Sequence, residues 1–436
     1  MNVISHRQAD FAEQLQRMLA PSSLFDPAIE EQTAAIIQAV RARGDDALVE
    51  LTERFNGARL AADQFAVSQA EFMAASLQAD ASLRAAIAET TRNVEAFAKR
   101  SRRKNWSMRN GHGALVGEKF DPFQRVGIYI PGGAAPLVST ALMTIPLARV
   151  AGCREVVVCT PCDRNGQVNP ALLHAARGAG ATEIYRLGGA QAIAAMALGT
   201  GVIRKVNKIF GPGNAYVVAA KRLLFGYAAM DLLPGPSELL VLADDTADPA
   251  CIAADLLAQA EHGSGHERVW LLTTSDKILR AAQKEIERQI PKRARRELIE
   301  CALAHNGWLV RVADLEQAIA LANQLAPEHL EILCRDAGRL SGRLVTAGAI
   351  FAGHDSPAVL GDYVAGPSHV LPAGGTGASF AGLTVDQFQR RTSFVNYNKT
   401  ALKKALGAVQ KFAAMEGLDA HGWSAEIRLR PRTGQR

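Results

Sequence analysis

The feature that most constrains this chain is a local pattern that repeats from about residue 125 onward. In each copy an apolar segment with the character of a strand leads into a glycine-rich turn, and an apolar helical stretch follows. Residues 125–130 (RVGIYI) precede a Pro-Gly-Gly turn, residues 183–187 precede Gly-Gly, and residues 205–210 precede Gly-Pro-Gly-Asn. Strands that alternate with helices in this way predict a parallel sheet with helices on its faces.

A second series of the same kind begins near Glu238, so the sequence predicts two α/β regions. The segment 233–237 (LPGPS) concentrates Pro and Gly and is the expected junction between them. Residues 1–125 and the charged stretch from about residue 383 onward are expected to be mainly helical. The predicted fold class is therefore α/β, with mostly parallel sheets and small helical pieces at both ends.

Composition and charge narrow the possible functions. The 436 residues are 48% hydrophobic and 21% charged, which allows sizeable cores. No apolar run approaches the roughly 20 residues that span a bilayer, and the N-terminus has no signal core, so we expect a cytoplasmic protein without a membrane partner. The net charge of +6 includes basic clusters at 100–104, 292–296 and 428–436. They could attract nucleic acid, but no nucleic-acid-binding module accompanies them, so solvated faces are the preferred interpretation.

The glycine turns alone leave nucleotide binding open. Backbone N–H groups at such turns and at helix N-termini can hold phosphates. None of the turns has the G-x-G-x-x-G spacing of the standard dinucleotide fingerprint, and Gly211-x-Gly213 lacks the third glycine.

One predicted helix carries a pair of candidate metal ligands. Asp248 and Pro249 form a favourable helix start, and Gly263 is expected to end the helix. Gln259 and His262 lie one turn apart, so both side chains could reach one zinc ion. The alternative is an ordinary capped helix end with an exposed histidine.

Glu328 and His329 are candidates for proton transfer. They follow Ala-Pro, where a helix must break, and they precede an apolar strand predicted at 330–334. Adjacent carboxylate and imidazole groups supply two proton acceptors of different basicity, and the strand could hold them rigidly.

Two further segments add carboxylate and imidazole groups. Asp362 and His369 lie in a stretch rich in Gly and Pro, which is typical of a loop that forms a site. Glu416 and His421 lie in the charged C-terminal piece. Separated nitrogen and oxygen ligands of this kind suit a catalytic zinc site.

Nine short segments in a fixed order resemble the histidinol dehydrogenase family. The resemblance extends over nearly the whole chain, and the set is far more specific than any one member. The segments are RVGIYIPGGAAPLVSTALM (125–143), GGAQAIAAMALGT (188–200), KIFGPGNA (208–215), GPSE (235–238), AQAEH (258–262), LAPEHLEI (325–332), GDY (361–363), HVLP (369–372) and EGLDAH (416–421).

This resemblance implies a zinc-containing, NAD-dependent dehydrogenase. The family oxidises an amino alcohol, L-histidinol, to L-histidine through a bound aldehyde, in two hydride transfers. Glu328 and His329 would be the acid–base pair. The implied zinc ligands, which also contact substrate, are Gln259, His262, Asp362 and His421. The other implied contacts are Ser139, Ser237, His329, His369 and Glu416 for substrate, and Tyr129, Gln191 and Asn214 for NAD.

The resemblance also implies two incomplete Rossmann-like domains in a homodimer with shared active sites. The expected pieces are an N-terminal helical arm (1–25), a first Rossmann-like domain (26–126 with 239–381), a second (127–238) and a C-terminal helical dimerisation piece (382–436). The C-terminal piece would cross to the partner, so that Glu416 and His421 complete the other subunit's site.

Several positions near the expected substrate pocket depart from the family pattern. Ala358 stands where the family usually has Glu, Ser368 where it has Asn, and Ala373 where it has Thr. A related zinc and NAD dehydrogenase for another small polar alcohol, such as a sulfonated diol, is therefore an alternative. A metallohydrolase built on His262 and His266 is another, although the glycines between them disfavour a shared helix face.

Overall fold

The computed structural model describes residues 1–20, 26–132, 137–233 and 235–430. The chain divides into two compact units, Met1–Ser101 with Phe123–Phe388 and Arg102–Pro122 with Gln389–Arg436. Its strands are β1 (Asn2–Ser5), β2 (Trp106–Arg109), β3 (Leu115–Pro122), β4 (Arg125–Tyr129), β5 (Glu155–Thr160), β6 (Glu183–Arg186), β7 (Lys208–Phe210), β8 (Ala229–Met230), β9 (Glu238–Ala243), β10 (Arg268–Thr273), β11 (Gly307–Arg311), β12 (His329–Leu333), β13 (Ala349–Ala352) and β14 (Gln389–Asn396).

The helices alternate with these strands over much of the chain. They are α1 (Phe11–Leu19), α2 (Pro27–Arg43), α3 (Asp45–Asn56), α4 (Gln69–Gln78), α5 (Ala81–Ser101), α6 (Val138–Ala151), α7 (Pro170–Ala179), α8 (Gly189–Leu198), α9 (Ala215–Leu224), α10 (Pro249–Ala260), α11 (Asp276–Gln289), α12 (Arg296–Asn306), α13 (Leu315–Leu325), α14 (Ala337–Ser341), α15 (Val359–Tyr363), α16 (Lys399–Met415) and α17 (Asp419–Glu426). Among the described residues, no helix combines the length and apolar character needed to span a membrane.

The first unit contains two parallel sheets of the same design. The six-stranded sheet has the order β1-β11-β10-β9-β12-β13, and the five-stranded sheet has the order β6-β5-β4-β7-β8. Apart from β1, each follows a 3-2-1-4-5 order when its strands are numbered along the chain, which is the Rossmann arrangement. Apolar runs such as ELLVLA in β9 form strands that are buried on both faces. The predicted α/β class with two incomplete Rossmann-like regions is confirmed.

The N-terminal helices pack on the helical layers of the five-stranded sheet. α2 contacts α8 and α9, α4 contacts α7, and α5 contacts α6. This packing favours grouping residues 27–101 with the five-stranded sheet rather than with residues 239–381. The domain boundaries themselves stay a prediction.

The second unit contains an antiparallel sheet that the sequence analysis did not predict. β3 lies between β2 and β14 in this three-stranded sheet. β14 pairs with β3, some 270 residues earlier, through the register Gln389↔Pro122 to Asn396↔Leu115. The helical prediction for residues 1–125 and for the C-terminal piece is therefore wrong at β1, β2, β3 and β14. β1 and β14 pair with distant segments, which leaves little local signal, whereas β2 and β3 form a local hairpin that the sequence analysis missed.

Some predicted features fall outside the described residues. They are residues 21–25 of the N-terminal arm, residues 133–136 of the first glycine turn, Pro234 at the junction, and the basic tail from residue 431 onward.

Candidate active site

The first cluster of candidate residues lies at the amino edge of the six-stranded sheet. Glu238 begins β9 and His329 begins β12, and these two strands are parallel neighbours. The chain enters β12 from Ala326, whose φ of 46° is left-handed, followed by Pro327. The helix break expected at Ala-Pro therefore delivers Glu328 and His329 to the start of a buried strand.

The backbone of Glu238 holds both members of the predicted acid–base pair. Its N–H donates to Glu328 Oε2 at 2.9 Å. Its carbonyl oxygen accepts a hydrogen bond from His329 Nδ1 at 3.0 Å. A carbonyl can only accept, so Nδ1 carries the proton and Nε2 of the neutral imidazole is free to take one.

Asp362 and His369 complete this cluster. His329 Nε2 lies 4.0 Å from Asp362 Oδ1, and His369 Nδ1 lies 3.7 Å from the same oxygen. His369 Nε2 is 3.4 Å from Thr140 Oγ1 on α6. The structure therefore brings Glu328, His329, Asp362 and His369 together.

Burial gives these groups unusual acidities. It raises the pKa of Glu328 well above its usual value, against the opposing hydrogen bond from Glu238. Burial lowers the pKa of His329, and the attraction of Asp362 offsets this only in part. Burial also acts to raise the pKa of Asp362, but His369 and the other nearby imidazoles hold it below its usual value. The site thus combines a carboxyl whose pKa is raised, an imidazole whose pKa is lowered and a carboxylate whose pKa is lowered.

The helix before the site begins as predicted, but it ends at Ala260, earlier than the predicted end at Gly263. The Asp248 side chain caps α10 by accepting from Ala250 N at 2.8 Å, and Pro249 is its first residue. α10 ends at Ala260, so His262 lies just beyond the helix and is exposed, whereas Gln259 is buried on it. The side chains of Gln259, His262 and Asp362 line one small cavity.

The donor set fits zinc. The amide nitrogen of Gln259 is buried without a hydrogen-bond partner, so this side chain is not committed to another polar group. An amide oxygen, an imidazole and an ionised carboxylate are suitable zinc ligands. Among the described residues, no group of three or more His, Cys, Asp or Glu is arranged to hold a metal. Of the four predicted zinc ligands, Gln259 is an amide and His421 lies in the second unit.

The remaining predicted substrate residues are less closely tied to the cluster. Ser237 is half-buried immediately before β9, and Ser139 is half-buried in the first turn of α6. Glu416 follows α16 and His421 lies in α17, and both are exposed on the second unit. Their part in a site therefore stays a prediction.

The positions that depart from the family pattern have structural roles in this chain. Ser368 Oγ donates to Met143 O at 2.9 Å, which fixes the segment before His369 on α6. Ala358 is buried, and its N–H donates to Glu331 Oε1 at 2.6 Å. Ala373 is also buried.

A second feature is a large cleft at the carboxyl edge of the five-stranded sheet. Its volume is about 1200 Å³, and it is lined by residues that follow β4, β5, β6 and β7. Tyr129, Gln191 and Asn214, the three predicted NAD contacts, all line it. In open α/β sheets, ligands bind outside the carboxyl ends of the strands where the strand order reverses, and this cleft has that location.

Each of these three residues also shapes the cleft. Tyr129 Oη accepts from Gly189 N at 3.0 Å, at the start of α8. Gly189 has a φ of 68°, and a Cβ there would lie 2.7 Å from Gln191 Oε1. Asn214 caps α9 by accepting from Val217 N at 3.2 Å. The glycine turns therefore bring the side chains and helix N-termini to one edge.

Sequence reasoning missed three contributors. Glu238 was noted only as the last letter of GPSE, although its backbone holds the acid–base pair. Thr140, rather than the neighbouring Ser139, contacts His369. Asp163 lines the cleft after β5. Asp163 could have been found from its position, because an acidic residue after the second strand of a Rossmann unit often contacts the cofactor. Glu238 could not, because a contact made by the backbone leaves no signal in the residue type.

Comparison with known proteins agrees with this architecture. The family model described as Histidinol dehydrogenase matches residues 21–429. A histidinol dehydrogenase from Geobacillus kaustophilus is 45% identical over 92% of this chain and 94% of its own length. One from Heliobacterium mobile is 42% identical over 98% of this chain and 99% of its own. The crystal structure of histidinol dehydrogenase from Elizabethkingia anophelis gives a TM-score of 0.93 at 34% identity, covering 98% of both chains.

The fold, the site and these matches define an NAD-dependent dehydrogenase, as the sequence predicted. More particularly, the chain belongs to the histidinol dehydrogenase family.

Proposed function

We propose that this chain oxidises L-histidinol to L-histidine through histidinal, with zinc bound at the site and with two NAD reduced per substrate. The observation that carries the proposal is the anchoring of Glu328 and His329 on the backbone of Glu238, with His329 Nε2 facing Asp362. This arrangement occurs in a chain that is similar to histidinol dehydrogenases over nearly its whole length.

Gln259, His262 and Asp362 would hold the zinc, with His421 of a second copy as the fourth ligand. When bound, the metal supplies a Lewis acid that orients the substrate and eases loss of the alcohol proton. Asp362 suits this role because its lowered pKa keeps it ionised.

His329 is the base for the alcohol proton. The hydrogen bond from Nδ1 to Glu238 O fixes the ring and its tautomer, so the proton is taken at Nε2. Its lowered pKa keeps the imidazole neutral and ready to accept that proton at neutral pH.

Glu328 is the acid–base group for the second oxidation, in which water must add to the aldehyde. A carboxyl whose pKa is raised by burial is a stronger base than an ordinary one, which suits proton transfer near neutral pH. The hydrogen bond from Glu238 N to Oε2 leaves Oε1 to accept a proton from water.

The cleft at the five-stranded sheet is the proposed NAD site, with contacts from Tyr129, Gln191 and Asn214. When bound, NAD accepts the hydride. A cleft of about 1200 Å³ suits a ligand as large as a dinucleotide, since pockets for drug-sized ligands have volumes of roughly 300–1,000 Å³.

We also propose that the chain acts as a homodimer. Phe412, Met415 and Trp423 are 61%, 70% and 44% exposed on α16 and α17. Large apolar side chains grouped on one surface mark an interface. Glu416 and His421 lie between these residues in the sequence and are also exposed, so a second copy docked there would bring both residues to a shared active site.

The test is a spectrophotometric assay of NADH formation from histidinol, with and without a zinc chelator. We expect NADH to form and the chelator to abolish it. Absence of NADH from histidinol, together with NADH from a sulfonated diol or another small polar alcohol, would contradict the proposed substrate. Activity that survives complete removal of zinc would contradict the metal.

A further inference from the structure

A fully buried ion pair lies behind the NAD cleft. Lys221 on α9 and Asp231 after β8 both have side chains that are 0% exposed, and Lys221 Nζ lies 2.6 Å from Asp231 Oδ1. Removing two charges from water is costly, and apolar side chains of similar volume often stabilise a fold at least as well. The pair therefore calls for a role other than stability.

Both charged groups hold the same residue of a glycine turn. Lys221 Nζ donates to the carbonyl oxygen of Gly211. Asp231 Oδ2 accepts from Gly211 N at 2.7 Å. The N–H and the carbonyl of Gly211 are thus both bound by the pair, and these charge-assisted hydrogen bonds define its position closely.

Gly211 is where the backbone of the turn meets the end of β4. Its φ is 110°, and a Cβ at this position would lie 2.1 Å from the carbonyl oxygen of Tyr129. The turn leads to Asn214, which caps the N-terminus of α9. Tyr129 and Asn214 both line the cleft, so the position of Gly211 sets the spacing of two of its walls.

Lys221 also contacts the segment that leads into β9 and to the cluster around Glu328 and His329. Lys221 Nζ lies 3.5 Å from the carbonyl oxygen of Leu232. Six residues later the chain begins β9 at Glu238, whose backbone holds Glu328 and His329.

We propose that Lys221 and Asp231 are positioning residues for the dinucleotide. They hold the turn at 211–214 against Tyr129 and act on NAD through that turn, without contacting it. The proposal rests on the proposed function only in taking NAD as the occupant of the cleft.

The test replaces both charges with apolar side chains in Lys221→Met/Asp231→Val. This variant removes the ion pair without leaving either charge unpaired, and it leaves both polar groups of Gly211 without partners. We expect the Kd for NAD, measured by titration calorimetry on the zinc-loaded protein, to rise about tenfold. Zinc content should not change.

A matched control lies at the opposite edge of the same sheet. Arg125 Nη1 pairs with Glu183 Oε1 at 2.6 Å, and these residues lie at the amino ends of β4 and β6. Arg125→Met/Glu183→Leu removes a largely buried ion pair that is remote from the turn. We expect it to lower thermal stability and leave the Kd for NAD within about twofold of the natural value.

Asp231→Asn provides a second variant of nearly the same shape, in case the double variant does not fold. It removes one charge and weakens the hold on Gly211, so we expect a rise of about threefold in the Kd for NAD. If the double variant or Asp231→Asn folds and its Kd for NAD is unchanged, the proposal is overturned. An equal rise in the Kd for NAD of the Arg125→Met/Glu183→Leu control would also overturn it. The Kd needs no substrate, so NAD binding without histidinol oxidation would refute only the proposed substrate.

Discussion

The two parallel sheets have equivalent strand orders but present their candidate ligand residues at opposite ends of their strands. The five-stranded sheet uses its carboxyl edge, where glycine turns and helix N-termini surround a cleft of about 1200 Å³. The six-stranded sheet uses its amino edge, where Glu328, His329 and Asp362 crowd together with shifted pKa values. The same topology therefore supports an open cleft at one edge and a buried cluster of titratable side chains at the other.

The difference reflects what each edge supplies. The carboxyl edge of a Rossmann unit offers space and backbone N–H groups, which suit a large anionic cofactor. The amino edge of β9 and β12 offers residues whose backbones are fixed by neighbouring strands on both sides. Proton transfer needs such rigid positions and buried surroundings, because small displacements of a catalytic group are costly.

The largest expected effect tests whether a residue at the amino edge of the six-stranded sheet, His329, carries out proton transfer. His329→Asn removes the free ring nitrogen, and we expect kcat to fall by roughly 10³-fold, because general bases contribute about 10²–10⁴. The Kd for NAD should stay unchanged, because the cleft lies at the other sheet. Exposed His266 supplies the control, and His266→Asn should retain natural kcat and zinc content. Loss of zinc in that control would instead favour the metallohydrolase alternative.

The next largest effect distinguishes the second oxidation from the first. Glu328→Gln keeps the shape of the side chain and an acceptor for Glu238 N, but it removes the titrating group. We expect the second oxidation to slow by about 10²-fold and the first to slow less, so that histidinal accumulates. Chromatography of quenched reactions measures the aldehyde. Equal slowing of both steps without aldehyde would contradict the proposed role of Glu328.

A smaller effect is expected at the carboxyl edge. Tyr129→Phe removes the hydroxyl that accepts from Gly189 N at the start of α8. Loss of a hydrogen bond of about 1 kcal/mol should raise the KM for NAD about fivefold with kcat nearly unchanged. Tyr185→Phe is the matched control, since Tyr185 Oη donates to Glu183 Oε2 at 2.8 Å, away from the cleft-lining residues. A similar rise in the KM for NAD in both variants would contradict a specific role of the Tyr129 hydroxyl in NAD binding.

The smallest expected effect concerns the pH dependence of the free energy of unfolding at Glu331, which lies on β12 with His329. Burial and the neighbouring Asp255 raise the pKa of Glu331, and burial also raises the pKa of Asp255. The folded state therefore binds more protons than the unfolded chain, and the free energy of unfolding falls as pH rises through the raised folded-state pKa values. Glu331→Gln should lose less stability than the natural chain between about pH 6 and about pH 9, by roughly 1 kcal/mol for each pH unit over which Glu331 is protonated only in the folded state. Denaturant unfolding at both pH values measures the difference, and parallel loss in the two proteins would contradict it.

The sequence predicted the features that depend on local pattern. Apolar runs ending in glycine turns predicted the two parallel sheets, and Asp248 with Pro249 predicted the start of α10. The sheet edge at which Glu328 lies could not be predicted, because it depends on the pairing of β9 with β12 about 90 residues away. The strand at Asn2–Ser5 was missed for the same reason, since it is formed by pairing with β11.

For the candidate site, as for the fold, the sequence indicated some contributors and not others. Side chains with recognisable chemistry, such as His329 and Asp362, could be found from motifs. The contribution of Glu238 is made by its N–H and carbonyl groups, which every residue except proline possesses, so no residue type signals it.

The most direct test of the account is the number of NADH formed per histidinol consumed at completion. Oxidation of an alcohol to a carboxylate releases two hydrides, and the aldehyde should remain bound between the two steps. The account predicts two NADH, one histidine and no free histidinal. One NADH per histidinol with free histidinal accumulating would contradict it.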